Sequence, residues 1–281
     1  MLSYQHAYHA GNFADVHKHL TLFAVADYLL RKKSAITFID THAGRGLYPL
    51  DRQETQRLRE YRYGIWPLWQ ARQRLEDSLL GAWLNQLEVA QPCTNVLSHY
   101  PGSPWWLSRT TRQQDALSLF ELHPGEHEQL NTQALPEQTQ RIFADGLAGL
   151  AKRLPVATPR LCVLIDPSYE RKQEYQEVAE STIRALAKTR HAVLLIWYPL
   201  LPSGAHQALL NSLKASGVGK LWRSELKQRA QGADQYGMYG SGMLIVNPPW
   251  GLDERLASAM AEITPLLGER SQYHSDWLVG E

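Results

Sequence analysis

Four short, mostly apolar segments of this chain end in a carboxylate, and this pattern constrains the fold more than any other feature. The four acids are Asp40, Glu121, Asp145 and Asp166. Strand-like segments that alternate with helix-like stretches are typical of a parallel α/β sheet. Because the carboxyl ends of parallel strands meet at one edge, where such folds bind ligands, we expect the four acids to face a single crevice.

The same alternation predicts the architecture of the chain. We expect a Rossmann-like α/β fold with a mostly parallel, seven-stranded sheet, in which segments near 221–227 and 242–246 pair as an antiparallel edge hairpin. Asn12 should cap a helix that begins at Phe13. Strand patterns are missing from Leu47 to about Ser98. Residues 47–99 should therefore form a small inserted helical subdomain in a main domain made of residues 1–46 and 100–281.

Two turns at the predicted sheet edge are candidates for chemistry. The buried strand 161–165 stops at Asp166-Pro167, which would place a carboxylate in the crevice. Alternatively, Asp166 only caps the next helix and Tyr169 packs beneath it. The other turn follows Asp40 and contains Gly44 and Gly46, which let the backbone approach a ligand closely. Position 49 is proline rather than a third glycine, so a ligand without phosphates fits better than a dinucleotide.

Charge and composition limit the class of protein. A formal net charge of +1 argues against binding of nucleic acid mainly by overall charge, but it allows a nucleic-acid substrate. Basic groups at Arg31–Lys33, at Arg57, Arg59 and Arg62, and at Lys220, Arg223, Lys227 and Arg229 are interpreted as ordinary solvated surface. Only two cysteines, no leader-like start and no apolar run of ~18 residues predict a cytoplasmic protein without a membrane partner.

The histidines near the start of the chain suggest a metal site at first sight. His6, His9, His17 and His19 all lie within fourteen residues. His17 and His19 are two positions apart on the predicted helix, so their side chains diverge by ~200°. No cysteine or close carboxylate cluster completes a site. We therefore expect no metal and favour polar groups that line a pocket.

Longer motifs resemble a known enzyme family. Strand-Asp-x-x-x-Gly-x-Gly, strand-Glu, strand-Asp-Gly and strand-Asp-Pro-x-Tyr, in this order, are similar to S-adenosylmethionine-dependent adenine-N6 methyltransferases. The opening Ser-Tyr-x-His-x-x-His-Ala-Gly-Asn-x-Ala-Asp-Val-x-Lys-His, with Asp-Thr-His-Ala-Gly-x-Gly, Tyr-Pro-Gly-Ser-Pro and Glu-Leu-His-Pro, resembles the RlmJ family of 23S rRNA adenine-N6 methyltransferases. The resemblance runs from residue 3 to about 250. It implies a class I methyltransferase fold, S-adenosylmethionine as methyl donor, and 23S rRNA with a flipped or unpaired adenine as partner.

The resemblance also implies roles for individual residues. Contacts to S-adenosylmethionine are implied for His19, His42, Gly44, Ser103, Glu121, Asp145, Gly146 and Asp166. Catalytic roles are implied for Asp166, Pro167 and Tyr169, and a place on the substrate side for Tyr4 and Tyr169. His19 as a hydrogen-bonded helix histidine and Ser103 as a turn residue remain the alternatives.

One motif departs from the family pattern, and a second competes with it. The usual Asp-Pro-Pro-Tyr is here Asp166-Pro167-Ser168-Tyr169, so we expect a softer loop with every reacting group retained. The segment 247–250, Asn-Pro-Pro-Trp, matches the general adenine-methyltransferase pattern better. It follows the last predicted strand, so chain order favours Asp166 and puts the second motif at the edge of the sheet.

The principal hypothesis is a monomeric enzyme that methylates one adenine of 23S rRNA. The Asp166 carboxylate and the Pro167 carbonyl would each accept a hydrogen bond from the adenine amino group, which would turn its lone pair towards the methyl donor. A DNA adenine-N6 methyltransferase, with residues 47–99 serving target recognition, is one alternative. A noncatalytic RNA-binding ribosome-assembly factor, suggested only by Ser168, is the other.

Overall fold

The computed structural model describes residues 5–228 and 237–280. The helices are α1 (Phe13–Leu30), α2 (Gln53–Leu58), α3 (Ile65–Ala71), α4 (Leu79–Val89), α5 (Ser103–Thr110), α6 (Pro124–Asn131), α7 (Gly146–Arg153), α8 (Glu174–Lys188), α9 (Gln207–Ala215) and α10 (Leu252–Leu267). The strands are β1 (Ile36–Asp40), β2 (Leu47–Pro49), β3 (His99–Pro101), β4 (Ala116–Glu121), β5 (Thr139–Phe143), β6 (Arg160–Ile165), β7 (Val193–Leu200), β8 (Leu221–Lys227), β9 (Gly240–Val246) and β10 (Gln272–Val279).

The main sheet has the order β10-β8-β9-β7-β6-β1-β4-β5 within the described residues. Strands β5, β4, β1, β6 and β7 are parallel, whereas β9 is antiparallel to both β7 and β8. The predicted Rossmann-like α/β fold, with its mostly parallel sheet and antiparallel hairpin, is therefore confirmed. Strand order reverses beside β1, since the chain moves outward to β4 and β5 and then returns to β6. A crevice at the carboxyl end of β1 and β6 follows from this reversal.

Among the residues that the structure describes, the sheet has eight strands, one more than the seven predicted. The extra strand is β10, which pairs antiparallel with β8, so the β8–β9 hairpin lies inside the sheet and not at its edge. Arg223 on β8 holds β10 by donating to both carboxylate oxygens of Asp276, at 2.8 and 3.1 Å. Strand β10 could not be predicted from the sequence pattern, because it is an edge strand without a buried apolar run.

Helices cover both faces of the sheet, and the strands between them are buried. All five residues of β1 are buried. Phe38 and Leu164 belong to a hydrophobic cluster shared with α1, α5 and α10, whereas their neighbours Ile39 and Ile165 belong to a second cluster shared with α8 and α9. This alternation is the two-residue period of a strand buried on both faces. The result is a three-layer core that fixes the ends of β1 and β6.

Helix α1 begins as the sequence predicts and leads the chain into the core. The side chain of Asn12 accepts a hydrogen bond from the backbone N–H of Asp15 at 2.9 Å, which confirms the predicted cap. The helix packs on β9 and against α5 and α10. No helix in the described ranges is both long enough and apolar enough to cross a membrane.

Residues 47–101 form a helical excursion that a two-stranded ribbon closes at its base. Strands β2 and β3 pair antiparallel, with Tyr48 opposite Tyr100. Between them lie α2, α3 and α4, and Trp83 of α4 stacks on Trp106 with ring centroids 5.3 Å apart. The buried side chains of α4 belong to the same hydrophobic cluster as α1. The division of the chain into a main domain and an inserted subdomain at 47–99 stays a prediction.

Candidate functional site

A cavity of about 970 Å³ opens at the carboxyl edge of the parallel strands. Its walls come from the start of α1, the turns after β1, β4, β5 and β6, and the end of β7. The residues that the sequence singled out converge here, since the lining includes His19, His42, Gly44, Ser103, Glu121, Asp145, Gly146, Asp166, Pro167 and Tyr169. Tyr4, the remaining predicted site residue, lies outside the described residues.

The turn after β1 is built around Gly44 and a clamped carboxylate. Gly44 has a φ of +62°, and a Cβ added there would lie 2.3 Å from Oη of Tyr48. Its N–H donates to Oε2 of Glu121 at 2.7 Å, while the N–H of His123 donates to Oε1 at 2.6 Å. Burial raises the pKa of Glu121, and these two N–H groups oppose the rise. The turn is therefore a narrow backbone cradle with a fixed carboxylate beside it.

The end of β5 is packed tightly against the turn after β1. A Cβ added to Gly146 would lie 1.9 Å from the carbonyl oxygen of Thr41, so only glycine fits. Asp145 caps α7 by accepting the N–H of Ala148 at 2.9 Å. Its side chain is exposed and lines the cavity. The cap thus uses only part of the hydrogen-bonding capacity of the Asp145 carboxylate. The remaining capacity is available to a ligand in the cavity.

Asp40 differs from the other strand-end acids because it does not line the cavity. Its side chain is fully buried and accepts the N–H of His42 at 3.1 Å. Burial raises the pKa of Asp40 to about 7, and hydrogen bonding from Ser103 and His42 opposes that rise. Our expectation that all four acids face the crevice is wrong for Asp40. The neighbouring strands β4 and β6 enclose Asp40, so its carboxylate stabilises the turn from the buried side.

Asp166 forms a partly buried ion pair that joins α1 to the end of β6. Lys18 Nζ lies 2.5 Å from Oδ2 of Asp166 and 3.1 Å from Oδ1 of Asp15. Burial raises the pKa of Asp166, and the positive charge of Lys18 opposes the rise. Burial lowers the pKa of Lys18, but the two carboxylates outweigh it and raise that pKa. The lysine therefore favours an ionised carboxylate at the cavity wall.

The network extends from Asp15 to the first described residues. Oδ2 of Asp15 lies 2.9 Å from Nε2 of His6 and accepts the N–H of Gly11 at 2.9 Å. Burial would raise the pKa of Asp15, but His6 and Lys18 hold it well below its usual range. Lys18 and Asp15 were not among the predicted site residues, whereas His6 was expected only as one of several polar groups that line a pocket. The available signal for Asp15 and Lys18 was their spacing of three positions on the predicted helix, which places both side chains on one face.

Tyr169 has an unusual backbone conformation and a largely enclosed ring. Its φ is +53°, in the left-handed region that aromatic residues seldom adopt. The ring stacks on Tyr175 with centroids 4.3 Å apart, and its hydroxyl donates to the carbonyl of Trp197 at 2.8 Å. Tyr175 therefore covers one face of the Tyr169 ring, so only the opposite face is available to a ligand in the cavity.

Two of the cavity histidines, His19 and His42, have lowered pKa values and lie among different partners. Nδ1 of His19 lies 2.9 Å from the hydroxyl of Tyr100, and burial, followed by the charge of Lys18, lowers the pKa of His19 well below its usual value. Burial likewise lowers the pKa of His42 to about 4. His17 turns away from the cavity and contacts Ser224 and Ser241 on the sheet. In the described part of the chain, no group of three His, Cys, Asp or Glu residues is arranged to hold a metal ion.

The Asn-Pro-Pro-Trp segment lies at the opposite end of the sheet. It follows β9, which runs antiparallel to β7, so it emerges at the amino end of the parallel strands. Asn247 uses its side-chain amide to hold the carbonyls of Arg190 and Ala192, at 3.0 and 2.8 Å. Trp250 is 87% exposed. The prediction that this motif lies at the sheet edge is wrong, because β9 is flanked by β7 and β8, but the motif is well separated from the cavity.

The lining suits one chemical class of ligand. A clamped glutamate and an exposed aspartate beside the glycine cradle offer hydrogen-bond acceptors to hydroxyl and amino donors. Acceptors of this kind suit the ribose and adenine of a nucleoside. A third carboxylate, Asp166, lines the same cavity near the aromatic ring of Tyr169. The carboxylates at the ends of the strands β4, β5 and β6 thus line one cavity.

Comparisons with known proteins agree over nearly the whole chain. A family model described as "Ribosomal RNA large subunit methyltransferase D, RlmJ" matches residues 33–279. The protein named Ribosomal RNA large subunit methyltransferase J from Escherichia coli (strain K12) is 33% identical over 287 residues, which is 100% of both chains. The protein of the same name from Haemophilus influenzae is 32% identical over 268 residues, covering 95% of this chain and 94% of its own.

A solved structure supports the same relationship. The crystal structure of a Legionella pneumophila protein matches with a TM-score of 0.87 at 33% identity, covering 96% of this chain and 98% of that one. The likeness thus holds for sequence and fold alike. The chain belongs to the RlmJ family of ribosomal RNA large subunit methyltransferases.

Proposed function

We propose that this protein transfers a methyl group from S-adenosylmethionine to the N6 amine of one adenine in 23S rRNA. Family membership supports the reaction class and the RNA substrate. The observation that carries the adenine-N6 assignment is the position of Asp166. Its carboxylate faces the same cavity as the Gly44 cradle and Glu121, so a donor and an acceptor of the methyl group fit side by side.

The donor half of the cavity is assigned to residues at the ends of β1, β4 and β5. Glu121, fixed by two backbone N–H groups, accepts the two ribose hydroxyls, and Asp145 accepts the adenine amino group of the donor. Further contacts are assigned to His19, His42, Gly44, Ser103, Gly146 and Asp166. When bound, S-adenosylmethionine supplies an electrophilic methyl group on a sulfonium.

The acceptor half holds the amino group of the target base. The Asp166 carboxylate and the Pro167 carbonyl each accept one N–H hydrogen bond, which frees the nitrogen lone pair from the ring. As positive charge develops on that nitrogen, the carboxylate stabilises it and accepts the proton directly or through water. Lys18 keeps Asp166 ionised before the reaction and is a positioning residue in this scheme. Neither a metal ion nor a covalent intermediate on the protein is needed.

The target base has to reach this pocket from outside. An adenine stacked within a helix cannot do so, and we therefore infer a flipped or unpaired nucleotide. Tyr169 is assigned to the face of the base through the side of its ring not covered by Tyr175. A lid formed by Tyr4 stays a prediction, as do action as a monomer and a location in the cytoplasm with the ribosomal substrate.

Labelled S-adenosylmethionine tests the assignment. The protein is incubated with protein-free 23S rRNA or with duplex DNA, and the nucleosides are separated after digestion. We expect label in N6-methyladenosine from the rRNA and none in the DNA. Label in DNA would instead favour a DNA adenine methyltransferase. Binding of S-adenosylmethionine and rRNA without any turnover would favour a noncatalytic assembly factor.

A further inference from the structure

Three arginines of the 47–101 excursion form an exposed basic segment, called here the arginine rim. Arg57, Arg59 and Arg62 are all exposed. Within residues 5–228 and 237–280, none of the three forms an ion pair with a carboxylate. Like charges so close in the chain repel one another, so protein stability gives little reason for the cluster. An anionic partner supplies that reason.

The arginine rim is fixed to the mouth of the cavity. Glu60 and Tyr63, which lie in the same turn, both line the cavity. Oε2 of Glu60 accepts the side-chain amide N–H of Asn12 at 3.0 Å and lies 3.0 Å from Nδ1 of His9. A Cβ added to Gly64 would lie 2.2 Å from the carbonyl oxygen of Gly11, so the turn fits closely against the entry to α1. The rim is thus built onto the helix that carries Lys18.

Exposed aromatic side chains accompany these arginines. Tyr63 is 70% exposed and Trp66 is 38% exposed, although most large apolar side chains of the protein are buried. The Arg57 guanidinium carbon lies 6.0 Å from the ring centroid of Tyr8. Tyr8 belongs to the same short helical turn as His6. Arg59 donates to the carbonyl of Gln56 at 3.1 Å, but this neutral partner leaves its charge uncompensated. Exposed guanidiniums beside accessible aromatic rings are the combination that binds single-stranded nucleic acid, through phosphates and stacked bases. Solvation alone would account for the exposed arginines, but it would not account for the exposed aromatic rings beside them.

We propose that the arginine rim binds phosphates of the RNA strand that flanks the target adenine, with Tyr63 stacking on a neighbouring unpaired base. This inference rests on the proposed function, because it takes an RNA substrate as given. It also explains how a protein with 29 basic and 28 acidic residues holds an anionic polymer. Local concentration of charge at the cavity mouth replaces a large overall charge.

A charge-removal variant tests the phosphate contacts. Arg57→Gln, Arg59→Gln and Arg62→Gln are combined, and the matched control combines Arg190→Gln, Lys214→Gln and Arg270→Gln, which removes the same charge at exposed positions elsewhere. We expect the rim variant to raise KM for 23S rRNA on the order of tenfold, and to lower the slope of log KM against log salt by about 2, at ~0.7 per single-strand phosphate contact. Its kcat at saturating RNA and its affinity for S-adenosylmethionine should match the control.

An aromatic variant tests the stacking contact. Tyr63→Leu should raise KM for the RNA by about fivefold or more, because stacking of one base contributes at least ~1 kcal/mol. Trp250→Leu removes an exposed aromatic ring at the other end of the sheet and is the matched control, with KM expected to stay unchanged.

The outcomes separate the inference from the proposed function. Equal KM values and salt slopes for the rim and control variants, with active wild-type enzyme, would overturn the inference and leave the methyltransferase assignment intact. Absence of methylation by the wild-type protein would overturn the proposed function itself. A rim variant that loses affinity for S-adenosylmethionine as well would also contradict the inference, because the rim is assigned to RNA alone.

Discussion

At the scale of single residues, the ion pair between Lys18 and Asp166 governs the charge of the carboxylate assigned to the target amine. Burial raises the pKa of Asp166, and Lys18 limits that rise. The reaction needs the ionised form, so activity should be lost as the pH falls through this raised pKa. Below that pH the carboxyl group is protonated, so it can neither stabilise the positive charge that develops on the amino nitrogen nor accept its proton.

Replacing Lys18 with Met should move the acid limb of kcat/KM to higher pH by about one unit or more, because removal of the nearby cation raises the pKa of Asp166 further. A pH–rate profile on 23S rRNA measures the shift. Lys214→Met, at an exposed position on α9, is the control and should leave the limb in place. If the two variants share the wild-type acid limb, Lys18 does not set the charge of Asp166.

Some of the cavity residues could be predicted from the sequence, and others could not. Glu121 and Asp166 were predictable because a carboxylate that ends a buried strand is itself a signal. Lys18 was not, since its contact with Asp166 joins positions 148 apart and depends on how α1 crosses the sheet. Asp40 carried the same strand-end signal as the others, yet it is enclosed by neighbouring strands. Local pattern therefore located acids at the edge but did not tell which of them faces the cavity.

At the scale of elements, the turn between β1 and β2 combines a left-handed glycine with a close contact. Gly44→Ala should weaken binding of S-adenosylmethionine on the order of tenfold, because the new Cβ would meet Tyr48 Oη at 2.3 Å and displace the cradle. The left-handed φ of +62° should also lower the free energy of unfolding by about 1 kcal/mol. Titration calorimetry and urea unfolding measure the two effects.

The variant Gly217→Ala separates the effect of the left-handed φ from the effect of the contact with Tyr48. Gly217 has a φ of +76°, and a Cβ there would meet nothing within 4 Å. The control should lose a similar free energy of unfolding without any loss of affinity for the donor. Equal dissociation constants for the Gly44 and Gly217 variants would show that the cradle has no part in binding.

The elements themselves were predictable to different degrees. Helix α1 with its Asn12 cap and the buried strand β6 follow from capping chemistry and apolar runs. The ribbon of β2 and β3 and the edge strand β10 do not, because each is short or polar and is defined by its partner. Pairing across the chain decides such strands, and a single sequence carries little information about it.

At the scale of the whole molecule, buried neutral histidines make stability depend on pH. His17 lies fully buried between Ser224 and Ser241, and burial lowers its pKa to about 3. The unfolded chain binds a proton near the ordinary histidine pKa of ~6.5, whereas the folded protein does not. Stability is therefore present above pH ~6.5 and falls as the pH decreases towards the folded-state value, by about 1.4 kcal/mol per pH unit for one such group.

His17→Gln should flatten this dependence. Urea unfolding between pH 4 and 7, set by those two pKa values, should give a free energy of unfolding that changes less steeply with pH than in the wild type. His191→Gln alters an exposed histidine and should keep the wild-type slope. Identical slopes for the two variants would mean that His17 takes up its proton without unfolding.

The architecture as a whole brings a donor pocket and an acceptor carboxylate to one edge of the sheet, and Asp166 is the test of that arrangement. The most direct measurement compares wild-type protein with Asp166→Asn in methylation of protein-free 23S rRNA, with thermal unfolding used to verify that the variant is folded. We predict N6-methyladenosine from the wild type and a kcat at least about 100-fold lower for the folded variant. Methylation by the Asp166→Asn variant at the wild-type rate, or label in a nucleoside other than N6-methyladenosine, would contradict the assignment.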